Sequence, residues 1–513
     1  MTRPRVTVRM YKGLRGDCFL LRLFRESDQV DRKRVADAHI LIDCGTIADA
    51  SGGAERSRRI AADIVAASDG RIDLMVVTHN LYDRLSTLGS APDLLLEPAG
   101  ITIHHLWLAW TEKVGDRDPD QVREAHESER AAIVAEIDHS RVTGLYGATG
   151  RTSSVQKNGE GPAESEPASH RYEFLGPIGL SARDQPSAQD LLSRLKDRFQ
   201  LANHDYLELG DQRLTPGSVS LRALVLAPPR NLSHLLDGRP DGRYPLTQTR
   251  GDVDSFLAAR EPEARATERN YAADHRAADS RAMPFSRCYR QISDADLLDQ
   301  RLTPPPDAAP ERQKNLWTIR EIYAGKPGER ADVWRMIDKS WREPSEESAM
   351  RLEADTRNAS LVLAFELEPD GDVLLFAGDA QAGNWLSWHK QDYAASEGQV
   401  SADDLLARTV FFTFGRPGGR TATPIAHGLD LMSSGRLVAM TSSIEGLLAR
   451  RASSPQHQKI YDCLVGKTAG RILVGNRRLD QAVLASDEDF SSRVRQGPDE
   501  DDLDTLWVEY DVS

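Results

Sequence analysis

Thr78-His79-Asn80-Leu81-Tyr82-Asp83-Arg84 brings an imidazole, a carboxylate and a guanidinium into one short polar segment, directly after the apolar run 72–77. A second carboxylate, Asp379, stands in Ala377-Gly378-Asp379-Ala380 after another apolar run, and Arg416 and Arg420 stand in Gly415-Arg416-Pro417-Gly418-Gly419-Arg420. An arginine only donates hydrogen bonds and stays charged, so it repels a metal cation and pairs instead with carboxylates or anions. The plain reading of His79 is a hydrogen-bonded loop histidine, and of Asp83 and Asp379 carboxylates that pair with arginines or cap backbone amides. His104, His105, His170, His204, His234 and His427 are read as structural. The chain has no G-x-S-x-G elbow, and neither a P-loop nor a G-x-G-x-x-G follows a strand, which leaves nucleophile-elbow and nucleotide-fold chemistry without support.

These residues need strands to hold them. Period-two or continuous apolar runs predict strands at 6–11, 18–24, 39–45, 72–79 and 101–110, with a helix over 57–68 placing Ile60, Ile64 and Val65 on one face. A polar helix is expected over 118–138. Ordered structure resumes at 206–210, and further strands follow at 221–230, 360–367, 373–379, 409–415 and 436–441, with a weaker one at 471–474. Strand, helix and buried strand in alternation imply an α/β layered fold.

The first of the chemical segments resembles the signature of the metallo-β-lactamase superfamily, in which an apolar strand runs into T-H-x-H-x-D-H. Here it stands as T-H-N-L-Y-D-R. Leu374-Leu375-Phe376-Ala377-Gly378-Asp379-Ala380 is similar to the later strand-plus-GDA element of that family. Thr413 to Pro424 looks like the K-V-G-H-H-G-S-x-N-A-T-P element of the branch related to the hydrolase domain of DNA-uptake competence proteins, with Gly415, Gly418, Ala422, Thr423 and Pro424 keeping the frame. Supporting likenesses are Gly16-Asp17-Cys18, Leu41-Ile42-Asp43-Cys44-Gly45, Ala109-Trp110-Thr111-Glu112 and Asn358-Ala359-Ser360-Leu361-Val362-Leu363. The likeness spans roughly residues 6 to 112 and 220 to 475 in the expected order.

The resemblance implies an αββα metallo-β-lactamase sandwich carrying a helical, Arg-rich insertion. It also implies two metal positions, the first keeping His79 and Asp379 but with Leu81 where an imidazole belongs. The second keeps Asp83 and Asp379 but meets Arg84 and Arg416, with Pro417 beside them. The expectation is therefore no metal and no cofactor. Arg84, Arg416 and Arg420 are expected to plug the mouth of the sandwich against Asp83 and Asp379 through charge-assisted hydrogen bonds. The leading function is a catalytically inactive relative that serves as scaffold, regulatory subunit or target of a protein partner. One alternative is a divergent phosphodiesterase or nuclease using zinc or manganese on His79, Asp83, Asp379 and an unrecognised histidine. The other is an anion- or nucleotide-sensing module built on Arg84, Arg416 and Arg420.

Composition sets the outer limits. The 513 residues are 40% hydrophobic, 28% charged and 6% aromatic, which suits a soluble globular chain, and a net charge of −14 argues against a globally basic nucleic-acid binder. No apolar run approaches the ~20 residues of a membrane span, and the basic start lacks a secretory h-region, so a cytoplasmic location is expected. Cys18, Cys44, Cys288 and Cys463 are too scattered for a zinc ribbon and are expected to be half-buried thiols. The expected organisation is one sandwich in pieces, 1–143, 170–230 and 351–480. A Gly/Ser/Pro-rich linker lies at 144–169, a helical insertion or lid at 231–350 with Trp317, Trp334 and Trp341 as anchors, and an acidic tail at 481–513.

Overall fold

In the computed structural model the described residues are 3–12, 16–25, 36–45, 53–97, 100–117, 119–120, 188–198, 203–231, 235, 356–395, 398–415, 423–425, 427–442, 455–475, 478–497 and 505–512. All of them belong to one compact unit assembled from Met1–Glu124, Tyr172–Tyr244 and Glu353–Ser513. The expected linker at 144–169, almost all of the expected insertion, Arg416, Pro417, Arg420, His170, His234 and Cys288 lie outside the described residues, as does the expected helix beyond residue 120.

The chain is mixed α/β. The first sheet has eight strands, Arg5–Tyr11 (β1), Phe19–Phe24 (β2), Ala38–Ile42 (β3), Arg71–Val77 (β4), Thr102–Ala109 (β5), His204–Leu207 (β6), and the C-terminal Val494–Gly497 (β16) and Trp507–Asp511 (β17). Their order is β16-β17-β1-β2-β3-β4-β5-β6. The second sheet contains Gln212–Leu214 (β7), Arg222–Ala227 (β8), Val362–Glu366 (β9), Val373–Phe376 (β10), Thr409–Thr413 (β13), Val438–Thr441 (β14) and Ile472–Val474 (β15), ordered β15-β14-β13-β10-β9-β8-β7. A short hairpin, Asp392–Ala394 (β11) and Gln399–Ser401 (β12), stands apart.

Period-two alternation decides how the layers stack. In β1, Val6, Val8 and Met10 enter a core shared with Leu363 and Phe365 of β9 and Leu374 and Phe376 of β10, so the two sheets face each other. The opposite faces are covered by helices. Tyr11, Leu20 and Leu41 pack with Gly53–Ala67 (α1), Tyr82–Ser90 (α2), Pro92–Leu95 (α3) and Ala188–Asp197 (α4) through Ile60, Ile64, Leu85, Leu95 and Leu192. Val362, Ala364 and Leu375 pack with Ala382–Trp388 (α5), Ala402–Ala407 (α6) and Pro455–Thr468 (α7) through Trp385, Trp388, Leu405 and Leu464. Helix, sheet, sheet and helix therefore form four layers.

Two expectations need correction. The residues after 480 are not a tail: Gln481–Ser486 (α8), Glu488–Arg493 (α9) and β16 lead to β17, which lies between β16 and β1. Val508 and Tyr510 enter the core between the sheets, burial that the acidic run 498–504 beside them conceals. Cys18 and Cys44 are fully buried side by side, because they lie at the paired ends of β2 and β3 beneath α2. Among the described residues no helix is long and apolar enough to cross a membrane.

Candidate functional site

Strand direction brings the chemical residues to one end of both sheets. The parallel strands β3 and β4 deliver Asp43 and Thr78-His79 just beyond their carboxyl ends, while antiparallel β2 begins just after Asp17. In the facing sheet, β10 ends just before Gly378-Asp379, and antiparallel β9 begins just after Arg357 and Ser360. The two ends are joined where the Leu361 amide donates to the Thr78 carbonyl at 2.7 Å.

Asp83 and Arg84 lie in the first turn of α2, whose N-cap Leu81 offers no side-chain cap. The backbone of that turn rests on glycine. A Cβ placed on Gly45 would stand 1.7 Å from the Asp83 carbonyl oxygen, so only glycine fits there. The Cys44 amide donates to the Arg84 carbonyl at 2.8 Å, and the Thr87 amide to the Cys44 carbonyl at 3.1 Å.

Arg84 is 1% exposed and reaches in three directions. One Nη pairs with Asp17, the other with Oδ2 of Asp379, and Nε stands 3.7 Å from Asp43. Arg357 joins the same carboxylate: it pairs with Asp379 Oδ2 and donates to Asp83 Oδ2 at 2.8 Å. Arg84 and Asp379 thus form an ion pair. The cation that meets Asp83 is Arg357, a residue the sequence did not single out. Leu81 is buried as an ordinary apolar side chain.

His79 Nδ1 lies 3.0 Å from both Thr78 Oγ1 and Ser360 Oγ. Each hydroxyl has a closer acceptor, since Thr78 donates to Asp43 at 2.7 Å and Ser360 to the Arg357 carbonyl at 2.5 Å. On the other side of the ring, His79 Nε2 stands 3.6 Å from Asp379 Oδ2.

Burial governs the titration of this group. It pushes His79 down to about 3, helped by the neighbouring Arg84 and opposed by Asp379 and Asp83, so the ring is neutral. It pushes the Asp43 carboxyl up to about 7, although Arg84 and the Thr78 amide and hydroxyl favour the anion. Burial also works against the Arg84 charge, but Asp17, Asp379, Asp83 and Asp43 together outweigh it and raise the Arg84 pKa.

The arrangement does not fit a metal. Both guanidinium groups engage Asp379 Oδ2, an oxygen that a metal would have to share with two fixed cations. Among the described residues no group of three or more His, Cys, Asp or Glu side chains is placed to hold an ion. Asp83, Arg84, His79 and Asp379 are all at most 2% exposed.

His104 and His105 lie on β5, His204 on β6, and His427 is exposed with its carbonyl 2.9 Å from His389 Nε2. Sequence reasoning missed Arg357, and took Asp17, Asp43 and Ser360 only as marks of a family likeness. The signal that could have found them is position, because each lies at a strand end facing the same way. Compared with protein-family models, with curated proteins and with solved structures, the chain has no match.

Proposed function

We propose that this chain is a metallo-β-lactamase-fold protein whose metal centre has been replaced by arginines, and that it acts through protein contacts, as a scaffold, a regulatory subunit or a partner's target. One observation carries the reading: Arg84 and Arg357 converge on Asp379 Oδ2, and Arg357 also holds Asp83. In the family that the sequence resembles, Asp379 would bridge two metals and Asp83 would ligate one of them. Here two guanidinium groups sit on those carboxylates, supplying fixed positive charge through charge-assisted hydrogen bonds where an ion would supply it by coordination. Four layers of helix, sheet, sheet and helix, with the cluster at one end of both sheets, support the αββα sandwich half of the proposal.

The burial of Asp83, Arg84 and Asp379 has a consequence for the alternatives. A hydrolase needs an open coordination position and a water, and an anion sensor on Arg84 would have to displace the carboxylates of Asp17 and Asp379. Function then falls to the outer surface, where recognition does not need the strand-end residues to react.

Metal analysis of the purified full chain, with phosphodiesterase and nuclease assays in added zinc or manganese, tests the reading. The expected result is far less than one equivalent of either metal and no turnover, with no difference on Asp379→Ala in either respect. One equivalent of zinc or manganese that disappears in Asp379→Ala would overturn it in favour of the hydrolase.

A further inference from the structure

Away from this cluster, the helix-covered face of the eight-stranded sheet carries a second set of buried polar residues arranged by register. Thr7 of β1 is directly opposite Arg22 of β2, and Arg22 is directly opposite His39 of β3. Thr7 shares its face with Arg9 and Tyr11, opposite to Val6, Val8 and Met10 of the core between the sheets. Directly opposed residues on one face have Cβ atoms about 5 Å apart. The three side chains therefore form one continuous row across three strands.

Thr7 and His39 are each 2% exposed, and the Arg22 side chain 18%. Three of their polar atoms, Thr7 Oγ1, Arg22 Nε and His39 Nε2, are buried with no hydrogen-bond partner among the described residues. Arg22 Nη2 donates to both oxygens of Glu509 at 2.7 and 2.8 Å, and His39 is hydrogen-bonded to the Ala67 backbone. Burial, opposed by Asp73 and reinforced by Arg22 and Arg71, lowers the His39 ring to about 4, so it is neutral at physiological pH. With Nδ1–H given to Ala67, Nε2 is a bare acceptor. Arg22 Nε–H is a donor, and the Thr7 hydroxyl can act as either.

That inventory selects a ligand by chemistry. An anion would meet the Nε2 lone pair, a cation would meet the Arg22 Nε–H and its charge, and an apolar molecule would leave all three atoms unsatisfied at a cost each. A small neutral molecule that both donates and accepts meets all three requirements, and buried water typically makes two to four such bonds. We propose that the Thr7–Arg22–His39 row is a built hydration site, holding ordered water that bridges β1, β2 and β3 beneath the covering chain. The water accepts from Arg22 Nε–H, donates to His39 Nε2 and exchanges a hydrogen bond with Thr7. It fixes the charge network next to it without adding a net charge.

Thr7→Val keeps the side-chain shape and removes only the hydroxyl, so the sign of its effect is diagnostic. If Thr7 is bonded to ordered water, the substitution strands that water and the full-length protein melts lower, by about 2 °C. If the hydroxyl is dry and unsatisfied, its removal relieves a penalty, and an unchanged or raised melting temperature overturns the proposal. A high-resolution crystal structure of the wild-type chain decides independently. Water density within about 3.2 Å of His39 Nε2 and of Arg22 Nε or Thr7 Oγ1 is the expected result. Density for an ion, or none, overturns it.

Discussion

Two groups of buried arginines and carboxylates lie in the same compact unit, and they are built differently. On the outer face of the eight-stranded sheet, Glu509 accepts from Arg9 Nε at 3.0 Å and from Arg22, while Arg495 stands 3.9 Å away. Arg9 and Arg495 are register partners of Glu509 on the two flanking strands, so ladder hydrogen bonds already bring their charges together. Arg9 has further partners in Asp63 at 2.7 Å and in the Trp507 ring, 3.7 Å from its guanidinium carbon. The strand-end cluster has no such ladder. Asp17, Asp43 and Asp379 come from strand ends of two sheets, Arg84 from the first turn of α2 and Arg357 from the helical turn before β9, and they meet because charge and shape make them meet. A network laid down by register has spare partners, whereas one assembled from strand ends and helical turns has each charge balanced by particular residues of distant segments. Loss of a single cation should therefore hurt the second more than the first.

Arg84→Met is the strongest way to break that contrast. It leaves Asp17, Asp43 and Asp379 without the cation they share, and removal of one side of a buried ion pair typically costs about 3–5 kcal/mol. Urea denaturation of the purified variant should show a loss of that order, and a loss below about 1 kcal/mol would mean the cluster is not what holds the strand ends. Arg84→Lys should recover only part of it, since a point ammonium cannot satisfy three carboxylates in different directions. Arg357→Ala comes next, at about 2–3 kcal/mol by the worth of hydrogen bonds to charged groups. Asp379 keeps Arg84 in that variant, but Asp83 loses its 2.8 Å donor inside a fully buried first helical turn.

Legibility in the sequence follows the same division. The longer strands were readable because their residues alternate or run continuously apolar, as in Val6–Tyr11 and Val362–Glu366, whose burial a local pattern encodes. Gln212–Leu214, Asp392–Ala394 and Gln399–Ser401 are three residues each, too short for a period to show. Trp507–Asp511 alternates well, yet its place beside β1 depends on a partner at the other end of the chain, and the neighbouring acidic run suggested a tail. In the cluster, His79, Asp83, Arg84 and Asp379 were visible because each follows an apolar strand. Arg357 lies in Ala354-Asp355-Thr356-Arg357-Asn358, charged and polar on both sides, where nothing local separates an inward guanidinium from a solvated one. Only the pairing of β9 with β10, which sets the chain before β9 at the same end as α2's first turn, makes Arg357 a partner of Asp83.

On the register-built face, Arg22→Met should cost only about 1 kcal/mol, because Glu509 retains Arg9 at 3.0 Å and the Arg22 side chain is partly solvated. Equal losses for Arg22→Met and Arg84→Met in the same denaturation series would abolish the distinction between the two networks.

The smallest effect is a slope. In the native state Asp43 titrates near 7 against an ordinary value of 3.8, because burial disfavours its anion. Between about pH 4 and pH 7 the folded protein then binds a proton there that the unfolded chain has released, so the Asp43 contribution falls as pH rises. His79, lowered to about 3, and His39, lowered to about 4, work the other way. Each binds fewer protons folded than unfolded below an ordinary value of 6.5, so their contributions rise with pH up to that point and are lost as pH falls. Asp43→Asn removes the first slope and leaves the other two. The Asn side chain mimics the protonated carboxyl, its carbonyl oxygen still able to accept from the Thr78 amide, which now donates to Asp43 at 2.8 Å. The stability of the variant minus that of the wild type should therefore climb steadily from about pH 4 to about pH 7 and level off above it, with the histidine slopes cancelling in the difference. A difference that stays flat across that window would mean that Arg84 and Thr78 hold Asp43 ionised throughout, and that the cluster tolerates its buried carboxylates as readily as the outer face tolerates Glu509.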